Sequence, residues 1–258
     1  MTYSPQEGAK APLGVGDIVS RSFSIFFRKL PAILLIGFVT SLLSLLVSGL
    51  LIGWEMTLGA GDPNFADFNA FAFALNLLLS MVFYAVTISL MVQLAYDASL
   101  GRPTRITAYV NDAVRNIFPI AVMATVVSLL VGLGSLLIVP GIWLYAVYAV
   151  TIPAIVIERA GFSAMSRSQD LTKDYRWPIA GAMILMLLLG LVATFVVGIV
   201  IGLIGALSGA IIVFALILAA IGSAFTYALV SIPVALIYAR LREIKEGVGM
   251  DDLVKVFD

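Results

Sequence analysis

The chain has 258 residues, of which 62% are hydrophobic and 12% are charged, and its mean hydropathy is +1.11. Soluble globular proteins carry about 25% charged residues, so this composition excludes a water-soluble domain and predicts a multi-pass membrane protein. The absence of cysteine and histidine excludes disulfides, thiol nucleophiles, Ser-His-Asp triads and the usual metal and haem sites. The 15 basic and 15 acidic residues balance, which gives no support for nucleic-acid binding.

Four long tracts without a charged residue predict the membrane spans. A bilayer core of about 30 Å is crossed by roughly 20 helical residues, so the third and fourth tracts are each long enough for two crossings. Turn signals divide these two tracts at Pro140-Gly141 and at 205–209. The sequence therefore predicts an all-α fold with six transmembrane helices. They lie near 30–54, 70–96, 117–136, 141–157, 178–205 and 210–238.

The pair of helices at 117–157 leaves two alternatives open. The second helix of this pair is short and carries Pro153. The pair therefore either crosses the membrane twice or forms a re-entrant hairpin.

The basic residues predict the orientation. With six spans, all fifteen fall in the N-terminal segment, the second and fourth loops or the C-terminal tail. Cytoplasmic loops collect Lys and Arg, so both termini are expected in the cytoplasm. We expect a flexible cytoplasmic arm at 1–13, a membrane domain at 14–238 and a cytoplasmic tail at 239–258. The N-terminal stretch lacks an apolar segment, so no cleavable signal peptide is expected.

A polar stretch with helical periodicity and a proline at its end precedes each odd-numbered span. The three stretches cover 15–30, 106–117 and 163–176, and the apolar stripe is weakest in the third. They predict three interfacial amphipathic helices. The chain is then either three repeated units of interfacial helix plus helical hairpin, or a bundle whose amphipathic connectors are unrelated to one another. Each stretch also places a base three or four residues after an acid, which predicts a local ion pair. These pairs are Asp17/Arg21, Asp112/Arg115 and Asp170/Lys173.

Six cations of these stretches are expected at headgroup depth, where they would attract anionic lipid. They are Arg21, Arg28, Lys29, Arg115, Arg167 and Arg176. The alternative is that they only set the topology.

Few polar residues occur within the spans. Two carboxylates lie at span ends. Asp97 is expected beside Arg102, and Glu158 is expected beside Arg159. Four uncharged polar residues would either hydrogen-bond neighbouring helices or line a polar path. They are Asn76, Gln93, Ser128 and Thr151.

Glycines spaced by three or four residues in the last two spans predict close helix packing, either within the chain or between two copies. They are Gly198, Gly202, Gly205 and Gly209.

Three stretches resemble a known family of membrane regions. These are 137–158 with its Pro140-Gly141 turn, 164–178 with Arg167-Ser168, and the span-to-tail junction at 238–247. They are similar to the membrane region of some bacterial glycerophosphoryl diester phosphodiesterases and to YciC-type inner-membrane proteins. The resemblance implies a six-span bacterial inner-membrane domain. It carries over no catalytic residue, because catalysis in those relatives belongs to a separate soluble barrel.

Two functions are consistent with the sequence. Without a catalytic set of residues and without a cofactor motif, the chain is not expected to be an enzyme. It is expected to be a membrane scaffold or accessory subunit that binds lipid, a partner membrane protein or a second copy. The alternative is a transporter or flippase-like carrier of a lipid or another amphiphile. A continuous cavity lined by the four uncharged polar residues would indicate the carrier, and close packing there would indicate the scaffold.

Overall fold

A computed structural model describes residues 12–58, 69–205 and 212–247. In these ranges the chain forms α-helices and a single 3-10 turn at Gly161–Ser163, with no β-strand. The helices are α1 (Val15–Arg28), α2 (Leu30–Ile52), α3 (Trp54–Leu58), α4 (Ala70–Ser99), α5 (Ile106–Arg115), α6 (Ile117–Ser135), α7 (Val139–Tyr148), α8 (Thr151–Glu158), α9 (Ala164–Thr172), α10 (Arg176–Gly205) and α11 (Ile212–Glu246).

Six helical segments are long and apolar enough to cross a membrane, which confirms the predicted all-α, six-span architecture. Five are α2, α4, α6, α10 and α11, and the remaining one is formed by α7 and α8 together. The last helix extends beyond its predicted end at 238 and continues to Glu246. The first part of the predicted tail is therefore helical.

Three short helices precede the three hairpins, in the predicted order. Helices α1, α5 and α9 come before α2, α6 and α10, and each long helix has a proline in its first turn. Proline is tolerated there because the first N–H groups of a helix have no intrahelical acceptor. The buried faces of α1 and α5 contain apolar residues, whereas the buried face of α9 includes Ser168 and Thr172. This composition explains the weaker apolar stripe of the third stretch.

Helix α11 is the centre of the bundle, with α10, α4, α2 and α1 packed around it. It approaches α2 closely at Gly37, where any added side chain would overlap Ala224. Three alanines of α11, Ala224, Ala228 and Ala235, are completely buried. Small residues let membrane helices approach closely and gain dispersion energy. The bundle is therefore held at its centre by small side chains of α11.

The fourth span is interrupted between α7 and α8. Pro153 has no N–H, and its ring crowds the carbonyl of the residue four positions earlier, Ala149, so the helix breaks at 149–150. Together α7 and α8 have the length of one crossing, 20 residues from Val139 to Glu158. This length favours a full span over the re-entrant alternative.

Candidate functional site

The basic side chains of the described residues gather at one end of the bundle. This basic end consists of α1, α5 and α9 and of the ends of α4, α8 and α11. Contacts between distant parts of the chain hold it together. Arg28 Nη2 donates to the carbonyl of Ala98 at 2.9 Å, and Arg240 Nη2 donates to the carbonyl of Pro12 at 3.4 Å.

Asp97, at the end of α4, attaches α5 to the bundle. Its side chain is 7% exposed and accepts hydrogen bonds from Arg105 Nη2 at 3.0 Å and from the hydroxyl of Tyr109 at 2.8 Å. Arg102 Nη1 lies 3.7 Å away, as predicted. Burial raises the pKa of Tyr109 to about 12, and the hydrogen bond to Asp97 raises the pKa of Arg105. No local sequence pattern indicates that Arg105 and Tyr109 share this carboxylate.

Glu158, at the end of α8, is the centre of a second cluster. Arg167 on α9 donates two hydrogen bonds to it, from Nε at 2.7 Å and from Nη2 at 2.9 Å. The hydroxyl of Tyr238 on α11 donates to the same carboxylate at 2.6 Å, and Arg242 Nε lies 3.4 Å from it. Arg167 and Arg242 also bind Glu246. The hydrogen bonds to Glu158 raise the pKa of Arg167. This cluster joins α8, α9 and α11.

The predicted partner of Glu158 is wrong. Arg159 ends α8 in a left-handed conformation with φ 57°, and its guanidinium lies 3.4 Å from Asp112 on α5. Glu158 pairs instead with Arg167 and Arg242, which come from α9 and α11. Glu158 therefore pairs with cations that helix packing brings close to it, and not with its neighbour in the sequence.

The three predicted local ion pairs are also wrong. In the described part of the chain, none of the pairs Asp17/Arg21, Asp112/Arg115 and Asp170/Lys173 forms, and Asp112 lies beside Arg159. Exposed ion pairs gain about 0–1 kcal/mol at most and restrict two long side chains. An acid and a base three or four residues apart on a helix therefore gain too little free energy from pairing to determine which partner each one has.

Two of the cations predicted to bind lipid, Arg28 and Lys29, contact the end of α4 and the α4–α5 connection, respectively. Besides the bond from Arg28 to Ala98, Lys29 Nζ donates to Thr104 Oγ1 at 3.0 Å. The side chain of Arg28 is nevertheless exposed. These two cations therefore fix α1 to the bundle.

Arg176 lies against an aromatic pair. Its guanidinium carbon is 5.0 Å from the ring centre of Trp143, and the rings of Trp143 and Trp177 are 5.6 Å apart. The Nε of Arg176 is buried without a partner among the described residues. Together with Arg167, this cation is used mainly for contacts within the protein.

Arg21 and Arg115 remain exposed and make no ion pair with the described residues. Arg115 follows Val114, which is 60% exposed, and lies near Phe118, which is 68% exposed. At the end of α1, Phe27 is 68% exposed beside Arg28. Exposed apolar and cationic side chains thus occur together at the ends of α1 and α5.

The four uncharged polar residues do not lie along one path. Gln93 Nε2 donates to the carbonyls of Tyr109 and Ser89, both at 3.3 Å, so it supports the attachment of α5. The Oδ1 of Asn76 is buried without a partner in the described ranges. Only Ser128 and Thr151 line the same cavity.

This cavity is mostly apolar and has a volume of about 160 Å³. It lies between α4, α6, the α7–α8 break and α11, and Tyr84, Tyr145 and Tyr148 contribute to its wall. Ligand pockets for drug-sized molecules are about 300–1,000 Å³, so a whole lipid does not fit.

Of the four glycines predicted to pack closely, Gly198 has no packing partner among the described residues. A side chain built on Gly198 would meet no described atom within 4 Å. Gly202 and Gly205 lie in α10, and Gly209 lies outside the described residues. Close packing at Gly198 therefore requires a second molecule or a part of the chain outside the described ranges.

A second cavity opens at the basic end and has a volume of about 280 Å³. It lies between α1, α4 and α11, and both signs of charge line it. Its charged and aromatic lining includes Asp17, Arg21, Tyr96, Arg240, Arg242 and Glu243. Local patterns could not predict this cavity because its walls come from both ends of the chain.

Among the described residues, no group of three or more acidic side chains is arranged to hold a metal ion. Comparison with protein-family models, with curated proteins and with solved structures finds no match to this chain. The family resemblance of the sequence therefore stays a prediction.

Proposed function

We propose that this protein is a non-catalytic scaffold or accessory subunit of the bacterial inner membrane that binds anionic lipid at its basic end, with both termini in the cytoplasm. The observation that carries the proposal is the grouping of exposed cations with exposed apolar side chains on α1 and α5. Arg115 with Val114 and Phe118, and Arg28 with Phe27, are the two groups.

The chemistry of these groups matches the membrane interface. A large apolar side chain at the end of an amphipathic helix gains free energy by entering the acyl boundary. A cation beside it then lies among the phosphate groups, where it is worth about 1 kcal/mol in an anionic leaflet. The opposite faces of α1 and α5 are packed on the bundle through Ile25, Phe26 and Ala113. This packing leaves the cationic side of each helix for lipid.

Removal of one unpaired cation tests the proposal. Arg115→Gln should weaken binding of phosphatidylglycerol to the purified full chain by about fivefold, because one headgroup contact is lost. Lipid binding in mild detergent is measured by native mass spectrometry. The matched control is Lys173→Gln, which removes an exposed cation between Asp170 and Asp174 at the same end. Equal binding by the Arg115→Gln variant and the unmodified chain would contradict the proposal.

One observation favours the carrier as a second candidate. The break between α7 and α8 borders the cavity that Ser128 and Thr151 line. Interrupted helices beside a mid-membrane cavity are typical of transporters. Reconstitution of the same purified chain in vesicles with a fluorescent phospholipid distinguishes the two functions. Lipid exchange between leaflets would favour the carrier, and its absence together with the effect of Arg115→Gln would favour the scaffold.

A further inference from the structure

The cavity at the basic end contains one unpaired charge of each sign. Arg240 Nη1 donates to Glu243 Oε2 at 2.6 Å, and Arg242 Nε donates to Glu246 Oε2 at 2.9 Å. Within the described residues, the other two charged groups of the lining, Asp17 and Arg21, make no ion pair. The cavity therefore offers a ligand one carboxylate and one guanidinium.

These two groups lie on the same side of α1. Residues four positions apart on a helix are neighbours, with their Cβ atoms about 5–6 Å apart. Both side chains are exposed at the cavity, so a ligand can reach them without moving the backbone. A ligand with a cation and an anion separated by a short linker satisfies both groups at once.

The two unpaired charges, Asp17 and Arg21, determine which kind of ligand fits the cavity. An anion such as inorganic phosphate would pair with Arg21 but would leave Asp17 facing a like charge, and a simple amine would do the reverse. Phosphoethanolamine carries a phosphate and a primary ammonium joined by two carbons. Its phosphate accepts hydrogen bonds from the guanidinium, and its ammonium donates hydrogen bonds to the carboxylate.

The apolar part of the cavity wall suits the rest of a lipid. Ile18, Leu100 and Leu236 supply an apolar surface beside the charged pair. Helix α1 is one of the helices expected at headgroup depth. A lipid headgroup can therefore enter the cavity while its acyl chains stay in the membrane.

We infer that this cavity binds the headgroup of one phosphatidylethanolamine molecule, with the phosphate on Arg21 and the ammonium on Asp17. The inference rests on the proposed lipid-binding function and adds a specific zwitterionic site to it. It predicts discrimination against phosphatidylcholine, whose quaternary ammonium has no N–H to donate to Asp17.

Native mass spectrometry of the purified full chain tests the site, with phosphatidylethanolamine, phosphatidylcholine and phosphatidylglycerol of identical acyl chains. The unmodified protein should bind phosphatidylethanolamine about tenfold more tightly than phosphatidylcholine, as expected for one charge-assisted contact. Asp17→Asn should remove this preference, and Arg21→Gln should weaken phosphatidylethanolamine binding about tenfold, because the phosphate loses its guanidinium. Ser99→Phe, which fills the cavity without changing the charge, should weaken phosphatidylethanolamine binding alone.

Two control variants, Asp170→Asn and Lys173→Gln, remove the same charges outside the cavity and should leave the preference unchanged. Equal affinity for phosphatidylethanolamine and phosphatidylcholine would overturn the inference, as would a preference that survives Asp17→Asn. If Arg115→Gln still lowers phosphatidylglycerol binding in that case, the proposed function stands and only the specific site is wrong.

Competition with soluble compounds identifies the source of the headgroup. Displacement of the lipid by phosphoethanolamine, but not by inorganic phosphate, would support a site that also takes the free phospho-amine. No displacement by either compound, with the lipid preference intact, would support a site for the membrane lipid. Equal displacement by inorganic phosphate would overturn the zwitterionic assignment.

Discussion

Tyr109 illustrates how a single residue holds one of the short helices, α5, in place. Its hydroxyl donates to Asp97 at 2.8 Å, and its side chain is almost completely buried. A hydrogen bond to a buried charge contributes about 1.5–3 kcal/mol. Tyr109→Phe should lower the free energy of unfolding by about this amount, because Asp97 loses a donor while the ring remains packed. Thermal unfolding in detergent at neutral pH measures the change, and an unchanged melting temperature would contradict the assigned role.

The same tyrosine predicts a dependence of stability on pH. An unfolded chain loses the tyrosine proton near pH 10, whereas Tyr109 in the folded protein keeps it to about pH 12 because burial raises its pKa. The stability contributed by this difference is fully present below about pH 10 and is lost as the pH rises to about 12. The unmodified protein should therefore lose more stability over this range than Tyr109→Phe. Thermal melting curves of the two proteins are recorded at several pH values from 9 to 12. An equal change of melting temperature with pH in both proteins would contradict a raised pKa of Tyr109.

At the level of helices, α9 completes the interrupted fourth span. Beside the break after α7, the carbonyl of Val147 accepts hydrogen bonds from Ser168 Oγ at 2.8 Å and from Thr172 Oγ1 at 3.1 Å. Backbone groups without partners in an apolar environment cost several kcal/mol, so an interrupted membrane helix needs such donors. The two hydroxyls on the buried face of α9 therefore act as a structural cap for α7.

Removal of both hydroxyls tests this role of α9. Ser168→Ala combined with Thr172→Val should destabilise the fold by about 1–3 kcal/mol, because the carbonyl of Val147 loses both donors. Ser163→Ala, which removes an exposed hydroxyl near the start of α9, should change stability by less than about 0.5 kcal/mol. Chemical or thermal unfolding in detergent compares the variants. Equal stability of the double variant and the Ser163→Ala control would show that α9 does not cap the break.

The helices could be predicted from the sequence, but the partners of the charged side chains could not. Membrane thickness sets the length of an apolar tract, and proline marks the first turn of a helix, so α2, α4 and α6 were predicted within a few residues. Ion pairs such as Glu158 with Arg242 join residues far apart in the chain. Local periodicity contains no information on such contacts, which depend on how α8, α9 and α11 pack. The cavity at the basic end was missed for the same reason.

At the scale of the whole molecule, the six spans make the two ends of the bundle chemically different. The helices and connections of the basic end carry the described arginines and lysines, whereas the α6–α7 turn at the opposite end presents Leu136, Leu137 and Ile138. Cytoplasmic connections retain Lys and Arg because translocating them across the membrane is unfavourable. This difference is the physical basis for expecting the basic end in the cytoplasm.

The absence of cysteine makes that orientation directly measurable, since a single introduced cysteine is the only thiol in the chain. In intact bacterial cells whose outer membrane has been made permeable, a membrane-impermeant maleimide should label Met56→Cys and Leu137→Cys. Lys173→Cys should react only after the inner membrane is also opened, because it lies at the basic end. Leu137 is 72% exposed at the α6–α7 turn, so its labelling also tests the fourth span. Labelling of Lys173→Cys in intact cells would reverse the orientation, and protection of Leu137→Cys from the outside would favour a re-entrant hairpin at 117–157.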